Sequence, residues 1–446
     1  TVSNGTFTIP TLDPGTYTVT VTASGFKQAV VNGVKLDAST PASVQISLEV
    51  GAATETVTVQ AGGDIVQTQT AAISTTIVGR QITELPLPWR DALMLTLLLP
   101  GANTPANDNP RRTTINGLSR SAVNIMIDGV NTQEQAFKDN DFLSYVSPRV
   151  DAIEEVTIST ATPGAESSGQ GAVQIKFVTR QGSNEFHGSL YEYHRDRSLN
   201  ANYWFNNRDL APDPRTGKAP RNQVLLNQFG GRVGGPISIP KLFSGRNRAF
   251  FFVNLENYYL PNAPSRTRTI LSPDAQAGIF RYAGGPAGGV NLLALAASRG
   301  QTSTIDPVVG KLLADIRNTT GQGSVVPLTD PNLQSFTFLN KGQEHHLYPT
   351  LRLDFNLTSK QHLEYSGNVQ QWRRIPDILN NADPAFPGFP VFGTQTSTRF
   401  SHSAALRSTL SPTLVNEARI GLTAGTIRFS ENITRDTFSG QVANQG

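Results

Sequence analysis

A chain of 446 residues is too long for one ordinary core, so two or three structural units are expected. Only 16% of its residues are charged, while Gly (39) and Pro (28) are abundant, a balance that favours strands and turns over helices. The absence of cysteine excludes a disulfide framework and Cys-ligated zinc. The net charge of +3 comes from scattered Lys and Arg, with no basic helix or stripe, which argues against nucleic acid as a partner.

The most apolar run, Ala92 to Leu99, is closed by Pro100 and falls far short of the ~20 residues that a spanning helix requires. Any crossing of a membrane must therefore use strands. No basic and apolar leader opens the chain, which starts in mid-strand at Thr1 and Val2, so its true N-terminus is expected to lie upstream.

From Thr6 to Val21 two alternating runs are joined by Leu12-Asp13-Pro14-Gly15, where Pro presets φ and Gly accepts a positive φ, which predicts a hairpin. Phe7 and Ile9, then Tyr17, Val19 and Val21, fall on alternate positions that can bury one face. Further strands are predicted over Ala29 to Leu36 and Ala42 to Val50, completing a small β-sandwich. Gly5-x-Phe7, Leu12-x-Pro14-Gly15-x-Tyr17 and Gly25-Phe26 resemble the carboxypeptidase regulatory-like domain, a non-enzymatic module, over about fifty residues. Next comes Glu55-Thr56-Val57-Thr58-Val59, suited either to pairing with a foreign sheet edge or to being the last strand of the sandwich.

The middle of the chain predicts a compact mixed α/β unit. Pro88 is expected to begin a short helix with a buried face, stopped by Pro100-Gly101. Strands follow at Thr113 to Gly117 and Val123 to Val130, the second carrying the turn-forming Asp128-Gly129. Another strand spans Ile153 to Ile158, then a glycine-rich loop, Gly164 to Gly171, precedes the alternating Ala172 to Thr179.

After Thr179 the text changes to strand candidates of about ten residues. They are Phe186 to Arg195, Val224 to Gly234, Ala249 to Tyr259, Tyr348 to Leu357, His362 to Trp372, Arg399 to Leu410 and Leu414 to Thr426. Connections after the first, third and fifth are long, whereas those after the second, fourth and sixth are shorter, an asymmetry of outer-membrane barrels. Leu351, Leu353, Phe355 and Leu357 face one way and Thr350, Arg352, Asp354 and Asn356 the other, as lipid and a wet lumen would require. Leu363, Tyr365 and Val369 repeat the pattern against His362, Glu364, Ser366, Asn368 and Gln370. Tyr191, Tyr193, Tyr258, Tyr259 and Trp372 are candidates for interfacial girdles or for ordinary cross-strand packing. The long connection from Leu260 to His345, with a helical stretch at Val308 to Ile316, is expected to form an extracellular lid. The candidates run out at a polar tail, Gln441 to Gly446, so the barrel is expected to be truncated.

Together the Leu85-Pro86 to Trp89-Arg90-Asp91 segment, Pro100-Gly101, Asn116-Gly117, Ile127-Asp128-Gly129, Ile153-Glu154-Glu155-Val156 and the glycines Gly164, Gly169 and Gly171 before Val173 resemble the plug of TonB-dependent outer-membrane receptors, in particular the Oar-like branch. The resemblance implies a mainly β chain in three parts: a regulatory-like β-sandwich over 1–60, a plug over 61–180, and the first strands of a transmembrane antiparallel β-barrel over 181–446. It implies location in the bacterial outer membrane with plug and sandwich on the periplasmic side, contact with outer-membrane lipid, and uptake of a scarce small-molecule or peptide-derived solute. It also makes Glu55, Thr56, Val57, Thr58 and Val59 a candidate TonB box for an energy-transducing partner. Physically, a wide barrel would leak, and a globular domain inside it supplies the gate.

No P-loop, nucleophile elbow, dinucleotide fingerprint or His-Glu-x-x-His helix is present, so neither an enzyme nor a cofactor is expected. His345-His346, the pair His187 and His194, and Asp139-Asn140-Asp141 are better read as surface groups than as metal ligands. The competing readings are a structural or adhesive barrel without transport, and a soluble multi-sandwich binding protein.

Overall fold

The computed structural model describes residues 15–36, 43–52, 56–60, 73–103, 113–118, 122–133, 144–161, 173–209 and 225–431 apart from 86, 88, 240, 242, 412 and 413, with short stretches between 5 and 12 and between 212 and 221. The expectations for Glu55, for Asp139-Asn140-Asp141, for Gly164, Gly169 and Gly171 and for the tail at Gln441 lie outside these residues.

Strand β1 (Gly15–Val21) pairs antiparallel with β2 (Gln28–Leu36), and β3 (Thr56–Gln60) adds to the free edge of β2 in parallel, with Ala29 opposite Val57. Two expectations fail here. The run around Phe7 and Ile9 forms no strand at its described positions, and both side chains are exposed. Of the run Ala42 to Val50, the described residues, from 43 on, make no ladder among the described residues beyond a bridge from Phe26 to Val50. Val44, Ile46 and Leu48 do alternate as half-buried residues, so the sequence pattern was met by packing one face rather than by strand pairing. What is described is one three-stranded sheet, not two packed sheets.

The middle unit runs β4 (Ile73–Val78), helix α1 (Arg80–Glu84), a 3-10 helix (Ala92–Leu98), β5 (Ala102–Asn103), β6 (Thr114–Ile115), β7 (Val123–Ile127), β8 (Val130–Asn131), β9 (Ile153–Ala161) and β10 (Val173–Thr179). Its sheet has the order β4-β9-β10-β7-β8, with β10 and β7 parallel. Ile125, Ile127, Ile153, Ile158, Ile175 and Phe177 fill the core beneath Ile82 and Leu95. The helix expected from Pro88 starts later and is of the tighter kind. Arg90 sits at φ 50, a conformation that a right-handed helix cannot continue through, and the Asp91 carboxylate caps the new start by accepting from Leu93 N at 2.9 Å.

The third sheet begins with β11 (His187–Asp196), which leads through helix α2 (Trp204–Asp209) to β12 (Leu225–Pro236) and β13 (Ala249–Asn262). An inserted module follows: β14 (Ser265–Leu271), α3 (Pro273–Gln276), β15 (Ile279–Phe280), β16 (Val290–Asn291), α4 (Leu292–Ser298), α5 (Pro307–Thr319), β17 (Gly323–Pro327) and β18 (Leu333–Leu339). The wall resumes with β19 (Gly342–Thr358), β20 (Gln361–Ile375), β21 (Gly393–Ser411) and β22 (Leu414–Glu431). Neighbours pair antiparallel in the order β11-β12-β13-β19-β20-β21-β22, so all seven predicted strands form one meander. Six of them run further at the long-loop end than the sequence indicated, β11 by a single residue, because there the apolar set gives way to polar pairs such as Glu344 and Arg374.

The faces of this sheet invert the usual order. Leu190, Ile420 and Leu422 on the outer face are 91%, 75% and 58% exposed, whereas Asn254, Glu256, Thr350, Arg352, Asp354 and Asn368 on the inner face are buried. These polar residues are thus buried instead of facing a wet lumen, Glu256 and Arg352 directly against the middle unit. The girdle expectation fails in part for the same reason. Tyr191, Tyr193, Tyr258 and Trp372 lie on the inner-face register, where Tyr191 and Tyr193 underlie Arg90, and Tyr258 and Trp372 pack on His346.

Candidate functional site

The contact between middle unit and wall is built on charge. Glu256, fully buried in mid-strand, accepts hydrogen bonds on Oε1 from Arg149 Nε and Gln228 Nε2, both at 2.7 Å, and on Oε2 from the Tyr191 hydroxyl at 2.8 Å. Arg149 also donates to the Trp89 carbonyl and lies 4.4 Å over the Tyr348 ring. Arg90 pairs with Asp151, approaches Glu256 at 4.0 Å, and stacks over Tyr191 and Tyr193. The 3-10 turn Val150–Ala152 presents Asp151 from one side, and the left-handed kink presents Arg90 from the other. Buried charges persist only when paired, and each of these has an opposite charge beside it, although Arg90 Nε itself lacks a hydrogen-bond partner.

A second contact lies toward the short-turn end. Asp128 and Gly129, at φ 47 and 75, make the tight turn between β7 and β8. The Asp128 carboxylate accepts from Thr179 N at 2.8 Å and Thr179 Oγ1 at 2.7 Å, fixing the turn to the end of β10. Its carbonyl accepts from Ser403 Oγ at 3.1 Å and from Arg419, while Thr423 Oγ1 donates to the Asn131 carbonyl at 3.1 Å. Gly421 permits the approach: a Cβ there would lie 2.2 Å from Val130 Cγ2. Nearby, Arg352 donates to the Thr179 carbonyl at 2.8 Å and is held by Asp354 at 2.9 Å and Glu364 at 3.4 Å.

Of the residues singled out from sequence, Asp128, Gly129 and Arg90 therefore reach the wall. Asn116 and Gly117, at φ 52 and 71, make a turn inside the middle unit, with Asn116 N donating to the Gly101 carbonyl at 2.9 Å. Thr56, Val57, Thr58 and Val59 lie in β3, away from both contacts. Arg149, Asp151, Glu256 and Gln228 were missed, and Tyr191 was named only as a girdle or packing residue. A usable signal existed for one of them: Glu256 is the lone acid inside the apolar run of β13.

The surface reading of His346 fails: it is buried, its Nε2 is 2.7 Å from Glu344, two residues away on the same strand face, and its Nδ1 is 2.8 Å from the Tyr348 hydroxyl. Potential ligand atoms of Asp354, His362 and Glu364 gather within 4.8 Å of one another. The Arg352 guanidinium already neutralises that group.

The long connections meet each other. Arg266 of β14 forms a two-pronged pair with Asp383, at 2.7 and 3.0 Å, and Asn340 Nδ2 donates to Asp383 at 2.6 Å and to the Pro384 carbonyl at 2.8 Å. Phe386 stacks on Phe336 and Phe338. The module at 263–341 and the loop at 376–392 are thus one packed cap rather than separate loops. The predicted helix there is α5, capped by Asp306, which accepts from Val308 N at 2.9 Å.

Residues 178–446 match the family described as "Outer membrane beta barrel domain". The chain belongs to this outer-membrane β-barrel family. Residues 1–49 match the carboxypeptidase regulatory-like domain. The barrel protein is 27% identical over 291 residues to the TonB-dependent transporter Oar of Myxococcus xanthus, covering 63% of this chain and 25% of that relative. It therefore spans about a quarter of that protein's length. Among solved structures it is similar to the outer-membrane transporter YddB of Escherichia coli (TM-score 0.46, 11% identity, 78% of this chain and 38% of that one). It is also similar to a ferric enterobactin receptor of Pseudomonas aeruginosa (TM-score 0.43, 13% identity, 82% and 42%). In such a barrel the exposed outer leucines and isoleucines face lipid.

Proposed function

We propose that the chain is part of a TonB-dependent outer-membrane transporter, in which residues 61–180 act as a plug inside the barrel wall, with the N-terminal unit on the periplasmic side. The observation that carries this reading is the chemistry of the contact around Glu256. A domain meant never to move would be joined to the wall by apolar packing, whereas here the joint is made of hydrogen-bonded charges. Water can replace such partners when the joint opens, so little apolar surface has to be exposed. The long connections would lie outside the cell, where they meet a scarce solute, and the short turns would face the periplasm.

Thr56, Val57, Thr58 and Val59, together with Glu55, would form the box that an energy-transducing protein grasps. Position supports this, because β3 is a short edge strand just before the plug and its outer edge is free for a further strand among the described residues. The periplasmic domain of the energy-transducing protein is the probe. Wild type should retain it in a co-purification, and Val57→Pro should not, while heat resistance of the barrel stays unchanged. Equal retention by both proteins would remove this segment from the coupling path.

A further inference from the structure

We infer that the short-turn rim of the barrel carries a binding site for the phosphate of an anionic lipid headgroup, supplied by the membrane leaflet on that side. A cavity of about 770 Å³ opens there, lined by Phe243, Arg248, Asn356, Lys360, His362 and Arg407 among others. Its walls come from three neighbouring places: the turn between β12 and β13, the turn between β19 and β20, and the end of β21. The strands that supply them, β13, β19, β20 and β21, are each paired on both sides, so the cavity does not lie at a sheet edge.

Backbone bonds hold the rim in shape. Asn356 N donates to the Arg248 carbonyl at 2.7 Å, its Nδ2 donates to the Asn247 carbonyl at 3.1 Å, and Thr409 N donates to the Lys360 carbonyl at 2.8 Å.

The charge in the cavity is unbalanced. Arg407 is shared with Glu417 at 3.1 Å and His362 approaches Asp354 at 3.6 Å. Arg248 and Lys360 are exposed and have no carboxylate partner among the described residues. An Arg and a Lys converging on one cavity suit a phosphate, which accepts several charge-assisted hydrogen bonds.

The lip of the same cavity is apolar and points the other way. Phe355 and Leu357 continue the outer face of β19, Leu357 is 57% exposed, and Phe243 is exposed beside them. A ligand with a phosphate at one end and acyl chains at the other satisfies both parts at once. The apolar lip has no use for a free phosphate, so the lipid is the occupant that the observations favour. The inference concerns a site below the plug contact and stands apart from any transport activity.

The test is native mass spectrometry of the full chain released from detergent micelles that hold equal amounts of phosphatidylglycerol and phosphatidylcholine. Wild type should retain phosphatidylglycerol in preference. Arg248→Gln combined with Lys360→Gln should cut that preference by about thirtyfold, roughly fivefold for each cation removed beside an anionic headgroup. Lys241→Gln combined with Arg246→Gln removes two charges from the same turn but outside the cavity lining, and should leave the preference intact. Equal retention of the two lipids by wild type would overturn the inference, and so would an equal loss in both double variants, which would indicate diffuse attraction. Displacement of phosphatidylglycerol by excess inorganic phosphate would overturn the lipid assignment in favour of a free-anion site.

Discussion

Arg149 and Glu256 join the middle unit to the wall through a buried ion pair, with Arg149 Nη2 2.6 Å and Nε 2.7 Å from a single carboxylate oxygen. Neither side chain has access to solvent beyond a few per cent. At this joint the two units depend on one another, because each charge is stable only where the other neutralises it.

Glu256→Ala leaves Arg149 buried without its carboxylate and takes an acceptor from Gln228 and Tyr191. Removing one partner of a buried pair costs about 3–5 kcal/mol. The loss should appear as faster proteolysis within residues 73–179, with the protease resistance of the wall retained. A variant as resistant as wild type would show that the pair contributes nothing to docking.

Gly421→Ala should loosen the second contact, since its Cβ would lie 2.2 Å from Val130 Cγ2. Overpacking of this kind costs typically 1–3 kcal/mol. Gly284→Ala is the control. Gly284 has a φ of 77 but nothing within 4 Å of a new Cβ, so only backbone strain of about 1–2 kcal/mol applies, and it falls on the cap rather than on the contact between middle unit and wall. Hydrogen exchange in β8 should rise for the first variant and not for the second.

Leu422→Arg on the outer face of β22 should destabilise the folded barrel in a bilayer by about 2–4 kcal/mol if the position lies near the midplane. In detergent-free urea titrations of bilayer-inserted protein the midpoint should fall. An unchanged midpoint would mean that this face does not meet lipid.

The cap should weaken in acid. Burial alone would raise the pKa of Asp383, but hydrogen bonds from Arg266 and Asn340 and the Arg266 charge outweigh burial and hold it below the ordinary 3.8. A carboxyl depressed in the folded state stabilises that state above its unfolded pKa, and the contribution is lost as pH falls through the folded value. Exchange protection in β18 should therefore drop below about pH 4 in wild type. Asp383→Asn should start less protected and show little further acid loss. The same acid loss in the variant would assign the effect elsewhere.

The seven wall strands were legible because lipid imposes an alternation that no soluble partner is needed to explain, as Leu351, Leu353 and Phe355 show against Thr350, Arg352 and Asp354. Asp128-Gly129 was legible for its turn chemistry, but not for its reach to Ser403 and Arg419, some three hundred residues on. Glu256 stands out as the lone acid in an apolar run, but its pairing was illegible for the same reason: Arg149 reads as an ordinary solvated charge until Glu256 is placed beside it. In the first unit the alternation of Val44, Ile46 and Leu48 misled, since half-burial on one face does not require a paired strand. In the cap, Asp383 and Arg266 carry no local pattern, and only folding of both long connections brings them together.

The central claim is that the middle unit closes the barrel, and the most direct measurement is planar-bilayer conductance of the full-length protein with and without residues 73–179. The intact protein should hold a closed bilayer, and the deletion should give large, stable openings that an unblocked wall allows. A folded, inserted deletion protein that stays as tight as the intact one would contradict the plug assignment.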